Sequence, residues 1–166
     1  MERQSKKEPA KELNRDEYEL RKPKYERLAA NLAAAVGTFL EENRISVLDV
    51  SSRIKQFDSM EEKTQRKKYT EPWEQIEDVC GLRIICYYPT DIAQICDVLR
   101  REFDIHSEED ASGRLGPKEF GYRSTHLIVS LPSAWAAAPN YRGLDGLRVE
   151  IQVRTVLMHA WAVEFH

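Results

Sequence analysis

The apolar segment GLRIICYY, residues 81–88, constrains the fold of this chain more than any other part of its sequence. Branched and aromatic side chains of this kind favour an extended strand, and Pro89 ends it. Thr90 is predicted to cap a following helix, whose apolar residues share one face: Ile92, Ile95, Cys96 and Leu99. A strand followed directly by an amphipathic helix indicates a sheet with helices packed on it.

Two further helices are predicted upstream of that unit. After Pro23, an amphipathic helix is expected to run to about Asn43, with these apolar residues at helical spacing: Tyr25, Leu28, Leu32, Val36, Phe39 and Leu40. Ser59 is predicted to cap a short basic helix that ends at Lys68. Residues 1–22 are polar and mixed in charge, so they form either a frayed segment or a solvated helical lead-in.

Three more segments have the alternating, branched pattern of strands: residues 46–54, 122–131 and 147–154. Residues 155–166 are predicted to form a closing helix. The order of elements favours an α+β fold in which a mixed sheet is flanked by helices. A single domain over residues 23–166 is expected, since the chain is too short for a catalytic and a regulatory domain together.

The composition is that of an ordinary globular domain, with 166 residues, 32% charged and 42% hydrophobic. A net charge of -3 argues against a protein that coats nucleic acid non-specifically. The three cysteines have no metal-ligand or CxxC spacing, which predicts buried, reduced thiols: Cys80, Cys86 and Cys96. The N-terminus lacks the apolar core of a signal peptide, and no apolar run nears the ~18 residues of a membrane span. A cytoplasmic protein without membrane contact is therefore expected.

Residues 148–154, RVEIQVR, are the most informative segment for chemistry. Because side chains alternate across a strand, an acid, an amide and a guanidinium share one face. They are Glu150, Gln152 and Arg154, opposite Val149, Ile151 and Val153. Taken alone, this pattern modestly favours an ordinary structural strand with a solvated outer face.

Two other segments could meet that face. Tyr122, Ser124 and His126 project to one side of their strand, and a tyrosine in such a place can stack on a base. Asp78 lies directly before the strand of residues 81–88. If its strand neighbours that of Glu150, the two carboxylates converge and form a site suited to Mg²⁺.

A basic segment could hold a polyphosphate. Arg53 and Lys55 share a strand face, while Ser59 and Lys63 lie one helical turn apart. The sequence has no GxxxxGK[ST] loop, GxGxxG, HExxH or GxSxG motif, so bound phosphates would depend on basic side chains and metal. No histidine is followed by aspartate, which excludes a His-Asp phosphohydrolase motif.

Together and in this order, the motifs resemble the synthetase domain of the RelA/SpoT homologue family, which makes guanosine tetra- and pentaphosphate. The matching segments are SRIK from Ser52, DVCGLRIIC from Asp78, FGYRSTH from Phe120 and VEIQVRTVLMHAW from Val149. The resemblance covers residues 25–166 and implies a nucleotidyltransferase-like mixed sheet. It further implies Mg²⁺, ATP as pyrophosphate donor, and GDP or GTP as acceptor.

The resemblance also implies roles for single residues. The implied ATP contacts are Arg53, Lys55, Ser59 and Lys63. Arg53 would lie against the adenine, and the other three would contact the phosphates. Arg100 or Arg101 would supply a second guanidinium facing the adenine. Asp78 and Glu150 would hold Mg²⁺, and Glu150 would polarise the acceptor hydroxyl. Tyr122 would stack on guanine. The full set of implied acceptor contacts is Lys118, Tyr122, His126, Gln152 and Arg154.

Two departures leave alternatives open. Glu119 and Phe120 stand where the family often has Pro-Asn, and Phe-Gly-Tyr resembles a toxin branch that makes adenosine alarmones or pyrophosphorylates the 3′ end of tRNA. Such a toxin would imply a neutralising antitoxin and a basic patch such as Arg66, Lys67 and Lys68. Phe165 stands where an acid is expected, and further C-terminal helices are implied. An inactive nucleotide-binding module is thus a third possibility, and the oligomeric state is open.

Overall fold

The computed structural model describes residues 11–110 and 124–165, with side chains to residue 160. Five helices and five strands follow one another along these residues. They are α1 (Arg15–Glu42), β1 (Val47–Ile54), α2 (Phe57–Lys67), α3 (Pro72–Gln75), β2 (Cys80–Cys86), α4 (Pro89–Glu102), β3 (Asp104–Asp110), β4 (Ser124–Ser130), β5 (Val149–Thr155) and α5 (Val156–Phe165). Two short 3₁₀ turns, Ser133–Ala137 and Pro139–Tyr141, lie between β4 and β5.

The strands form one five-stranded mixed sheet in the order β1-β2-β5-β4-β3. β2 and β5 are parallel, and every other neighbouring pair is antiparallel. Parallel neighbours need a crossover, which α4 and the β3–β4 hairpin provide here. The predicted α+β fold, a mixed sheet flanked by helices, is confirmed.

The apolar core lies on one face of this sheet. α1 packs on β1 and β2, and α4 packs on β5 and β2. Fully buried side chains from these elements fill the space between them: Leu28, Leu32 and Val36 from α1, Ile95 and Leu99 from α4, Leu82 and Ile84 from β2, and Ile151 and Val153 from β5. The predicted cysteines are buried and unpaired, and burial raises the pKa of the Cys80 thiol to about 12. None of the described helices is long and apolar enough to cross a bilayer.

The predicted start of the first helix after Pro23 is wrong, because α1 begins at Arg15 and contains Pro23. The Asn14 side chain caps this earlier start by accepting the Asp16 backbone N–H at 2.7 Å. Tyr18 holds the first turns in place, since it is buried, stacks on Trp73 and donates its hydroxyl to the Lys55 carbonyl at 2.9 Å. The lead-in is therefore helical from Arg15 onward.

Two predicted caps are also wrong. α2 begins at Phe57 with Gln56 as its N-cap, because burial of Phe57 and Met60 fixes its first turn, and Ser59 lies inside the helix. α4 begins at Pro89, and the Asp91 carboxylate accepts the Tyr88 backbone N–H at 3.1 Å. A polar residue inside a first turn has the same sequence signature as a cap, which explains both errors.

One strand was not predicted. β3, with the sequence DIHSEED, pairs antiparallel with β4 at the edge of the sheet. Only one of its residues, Ile105, is even half-buried, so its sequence has no apolar alternation. Acidic residues on an edge strand are a common protection against pairing with other chains.

Candidate active site

A row of polar side chains runs along β5 on the second face of the sheet. Val149, Ile151 and Val153 are buried in the core, whereas the alternate residues are half-buried on the other side. The Gln152 amide donates to Glu150 Oε1 at 2.6 Å, and Arg154 Nη2 donates to Gln152 Oε1 at 2.7 Å. The predicted shared face is confirmed, and its three side chains are joined by hydrogen bonds.

The register of β2 and β1 extends this row across the sheet. Gly81 pairs with Glu150 on one side and with Arg53 on the other, and Arg83 pairs with Gln152. Because Gly81 has no side chain, the floor between Arg53 and Glu150 stays open. The result is a pocket of about 280 Å³, lined by Ser51, Ser52, Arg53, Asp78, Gly81, Leu82, Arg83, Glu150 and Gln152.

Asp78, directly before β2, is held by two lysines. Lys55 Nζ lies 3.0 Å from its Oδ2, and Lys63 Nζ lies 2.9 Å from its Oδ1. Burial alone would raise the pKa of Asp78, but the hydrogen bonds and charges of Lys63 and Lys55 outweigh burial and lower the pKa below its ordinary value. Asp78 is therefore a carboxylate at neutral pH.

Arg53 and Arg83 line the pocket, and Arg154 lies close enough to both for their charges to interact. Burial, with the charges of Arg83 and Arg53, lowers the pKa of Arg154 to about 10, and burial and Arg53 lower the pKa of Arg83. The Nε atoms of Arg83 and Arg154 are buried, and neither has a hydrogen-bond partner among the described residues. Within residues 11–110 and 124–160, none of these arginines forms an ion pair. Converging cations without a carboxylate partner form a site for an anionic or aromatic ligand.

The basic segment surrounds an adjoining smaller pocket of about 120 Å³. Arg53, Lys55 and Ser59 line it, together with Ile54 and Gln56. Lys63 reaches the same region through its ion pair with Asp78. The structure thus brings together all four residues for which phosphate or adenine contacts were expected.

On β4, His126 lies opposite Gln152 in the β4–β5 register, and its Nε2 is 3.1 Å from Ser124 Oγ. This places Ser124 and His126 on the polar face, as their alternation predicted. The expected acceptor contacts Lys118 and Tyr122 lie outside the described residues.

Arg100 and Arg101 are not among the residues that line the pocket. Arg100 lies on α4, where it pairs with Asp97 at 2.6 Å and bonds to Glu108 at 3.0 Å. Arg101 donates to Asn43 Oδ1 at 2.8 Å. The pocket instead contains Arg83, which sequence reasoning missed. Its signal was present, since it is the lone charged side chain in the apolar strand GLRIIC and alternates in phase with Gly81.

The carboxylates of the pocket can hold a divalent cation only if a bound ligand or water supplies the remaining oxygen atoms. Asp78 and Glu150 both line the pocket, and hard carboxylate oxygens suit Mg²⁺. Among the described residues, however, no group of three or more His, Cys, Asp or Glu side chains could hold a metal ion. The remaining oxygens would have to come from a substrate or water.

Known proteins share this arrangement of sequence and fold. The chain is 36% identical over 115 residues to the GTP pyrophosphokinase YwaC of Bacillus subtilis (strain 168), a match that covers 67% of this chain and 52% of that protein. The chain thus spans about half the length of this curated relative.

Solved structures of small alarmone synthetase 1 from Bacillus subtilis have the same fold. The structure bound to its product pppGpp matches with a TM-score of 0.70 and 30% identity, covering 90% of this chain and 80% of that one. The structure bound to AMPCPP matches with a TM-score of 0.68 and 26% identity, covering 90% and 76%.

A family model described as the region found in RelA / SpoT proteins matches residues 52–165. This stretch runs from the Ser52 end of the pocket through β5 and into α5, and it contains both carboxylates and all three arginines of the site. The match covers well over half of the chain, so the chain belongs to the RelA/SpoT family.

Proposed function

We propose that this chain is a pyrophosphokinase domain that transfers the β,γ-pyrophosphate of ATP to the 3′-hydroxyl of GDP or GTP, yielding (p)ppGpp and AMP. One observation carries the proposal. One pocket contains two carboxylates, Asp78 and Glu150, and two arginines, and the ammonium groups of Lys55 and Lys63 at its Asp78 border bring the cations to four for a polyphosphate. The GTP pyrophosphokinase named among its relatives, and the synthetase structures with pppGpp and AMPCPP, support the same activity.

ATP is assigned to the β1–α2 side of the pocket. Lys55, Ser59 and Lys63 are suited to the phosphates, because two ammonium groups and a hydroxyl surround the smaller pocket and its Asp78 border. Arg53 is assigned to the adenine. Arg83 takes the second adenine-facing position in place of Arg100 or Arg101, since its guanidinium lies beside that of Arg53.

The acceptor nucleotide is assigned to the β5–β4 side. His126, Gln152 and Arg154 offer hydrogen bonds there. Tyr122 is proposed to stack on the guanine base, and Lys118 to contact the base, ribose or phosphates of the acceptor; both residues lie outside the described part of the chain. The donor and acceptor would then meet over Glu150.

Asp78 and Glu150 are the residues that would hold Mg²⁺, which when bound neutralises charge on the transferred phosphoryl group. In the proposed reaction the acceptor 3′-oxygen bonds to the β-phosphorus, the bond from that phosphorus to the α,β-bridging oxygen breaks, and AMP leaves with the electron pair. Glu150 accepts the proton of the 3′-hydroxyl and returns it to solvent. Lys55, Lys63 and Arg53 hold the donor in line.

Product identification tests the proposal. Purified protein is given ATP and Mg²⁺ with GDP, GTP, ADP or tRNA in parallel reactions, and the products are separated and identified by mass. We expect AMP and a 3′-pyrophosphorylated guanine nucleotide from GDP or GTP, and no product from Asp78→Asn. A matched Asp58→Asn variant, at an exposed carboxylate on α2, should retain activity.

The alternatives receive no support from the relatives. Arg66, Lys67 and Lys68 are exposed at the end of α2, and none of them lines the pocket that contains Asp78 and Glu150. Pyrophosphorylation of tRNA or ADP in the parallel reactions would favour a toxin-type enzyme with a neutralising antitoxin. Nucleotide binding without turnover would favour an inactive module. A cytoplasmic location is proposed from the nucleotide substrates.

A further inference from the structure

The Asp78 carboxylate at the centre of the site is paired with two ammonium groups. Lys63 and Lys55 approach different oxygens of Asp78, at 2.9 and 3.0 Å. All three side chains are about four-fifths buried, with 17 to 21% of each exposed, so water screens these pairs only partly. A metal ion that approached Asp78 would meet two ammonium groups first.

The charge of the surroundings points the same way. Cationic side chains outnumber carboxylates around the two pockets, and the members of this site cluster are Lys55, Lys63, Arg53, Arg83, Asp78 and Glu150. A bare divalent cation is repelled by such a set, whereas a triphosphate is attracted. A triphosphate that bound the lysines would compete with Asp78 for them and would make the net charge of this cluster negative.

We propose that Lys55 and Lys63 are counter-ions that withhold Asp78 from metal until a triphosphate draws them away, so that divalent metal and ATP bind as a coupled pair. The inference rests on the proposed function, because it takes Asp78 as a metal ligand and the two lysines as phosphate contacts. Coupling between two ligands is reciprocal, so metal must strengthen triphosphate binding by the same factor that triphosphate strengthens metal binding.

Manganese binding tests the coupling without any turnover. Mn²⁺ is titrated into the full chain, and the free ion is measured by electron paramagnetic resonance, with and without a non-hydrolysable ATP analogue. We expect the wild-type protein alone to bind little Mn²⁺. With the analogue present, the protein should bind Mn²⁺ saturably, in excess of the Mn²⁺ that the same concentration of analogue binds without protein.

Variants then assign the effect to the lysines. Lys63→Met should raise the affinity for Mn²⁺ in the absence of nucleotide by at least about tenfold, because one repelling charge is gone and one oxygen of Asp78 is released. Adding Asp78→Asn should abolish this gain. Lys67→Met removes the same charge from an exposed site on α2 and should leave Mn²⁺ binding unchanged. Circular dichroism checks that each variant is folded.

The proposal is overturned if wild-type protein binds Mn²⁺ as tightly alone as with the analogue. It is equally overturned if Lys63→Met changes nucleotide-free Mn²⁺ affinity no more than Lys67→Met does, or if no Mn²⁺ binds even with the analogue. The product assay on the same preparation is independent of these results. Synthesis of (p)ppGpp by a protein that binds free Mn²⁺ tightly would reject the coupling and retain the proposed function.

Discussion

The two faces of β5 show how one strand divides stability from chemistry. Val149, Ile151 and Val153 are at most 1% exposed in the core. Glu150 and its neighbours along the strand alternate with them, yet they are held by hydrogen bonds to one another and contribute little apolar burial. The buried face fixes where the strand lies, so the polar face can carry charged side chains that are not needed for core packing. Substitutions on the two faces should separate activity from stability.

The largest effect is expected at Glu150. Glu150→Gln keeps the size and a hydrogen-bond acceptor for Gln152, but it removes a carboxylate proposed to hold metal and accept the hydroxyl proton. We expect the rate of AMP formation to fall by about a thousandfold or more, since metal and general-base contributions are each worth several kcal/mol. The midpoint of urea unfolding should shift little. Glu62→Gln, at an exposed position on α2, is the matched control and should change neither quantity.

A large effect on stability, not on the chemical step, is expected at the neighbouring residue Ile151. Ile151→Ala should lower the free energy of unfolding by about 2–5 kcal/mol, because it leaves a cavity in a fully buried site. Leu157→Ala removes a similar side chain that is 70% exposed, so its free energy of unfolding should change by less than about 0.5 kcal/mol. Equal destabilisation in urea titrations would contradict the assigned core.

A moderate effect on activity is expected at Arg154. Arg154→Met removes the donor to Gln152 and one of three mutually repelling guanidinium groups. We expect kcat to fall by about 10–100-fold, in the range for loss of one positioned charged hydrogen bond. The melting temperature should stay the same or rise, since repulsion is relieved. If the variant lost stability and kept its kcat, Arg154 would have a structural role and no role in activity.

The smallest effect concerns Asp78 and pH. Its pKa is below the ordinary value of 3.8, so its lysine pairs stabilise the fold above that value and lose this contribution as the pH falls through the lowered pKa. Because the group is partly exposed, we expect about 1 kcal/mol or less. Urea unfolding of wild type and Asp78→Asn should therefore differ at neutral pH and converge in acid. A difference that persists at pH values well below 3.8 would contradict the pairing.

Sequence reasoning succeeded where a local pattern determines the structure. Alternation in residues 149–154 gave the two faces of β5, and apolar content gave β2 and the core side of α4. The β3 strand was missed because an exposed, acidic edge strand has no apolar alternation. The start of α1 was misplaced because burial of Tyr18 by Trp73 and Phe57 is a long-range contact that outweighs the local effect of Pro23.

The site was predictable in its parts but not in its assembly. The resemblance named Asp78, Glu150 and the basic segment, and their meeting depends on the parallel pairing of β2 with β5, which no local pattern specifies. Arg83 was missed for the same reason, because its neighbours Arg53 and Arg154 come from two other strands. The ion pairs of Asp78 depend on long-range packing in the same way, because Lys55 directly follows β1, Lys63 lies on α2 and Asp78 precedes β2.

Transfer of labelled phosphate tests the central claim most directly. ATP labelled at the β-phosphorus and ATP labelled at the α-phosphorus are each incubated with the protein, GTP and Mg²⁺. The proposed reaction moves the β label to the 3′ position of the guanine nucleotide and leaves the α label in AMP. A β label that stays with adenosine as ADP, or that is released as free pyrophosphate, would contradict pyrophosphate transfer by this site.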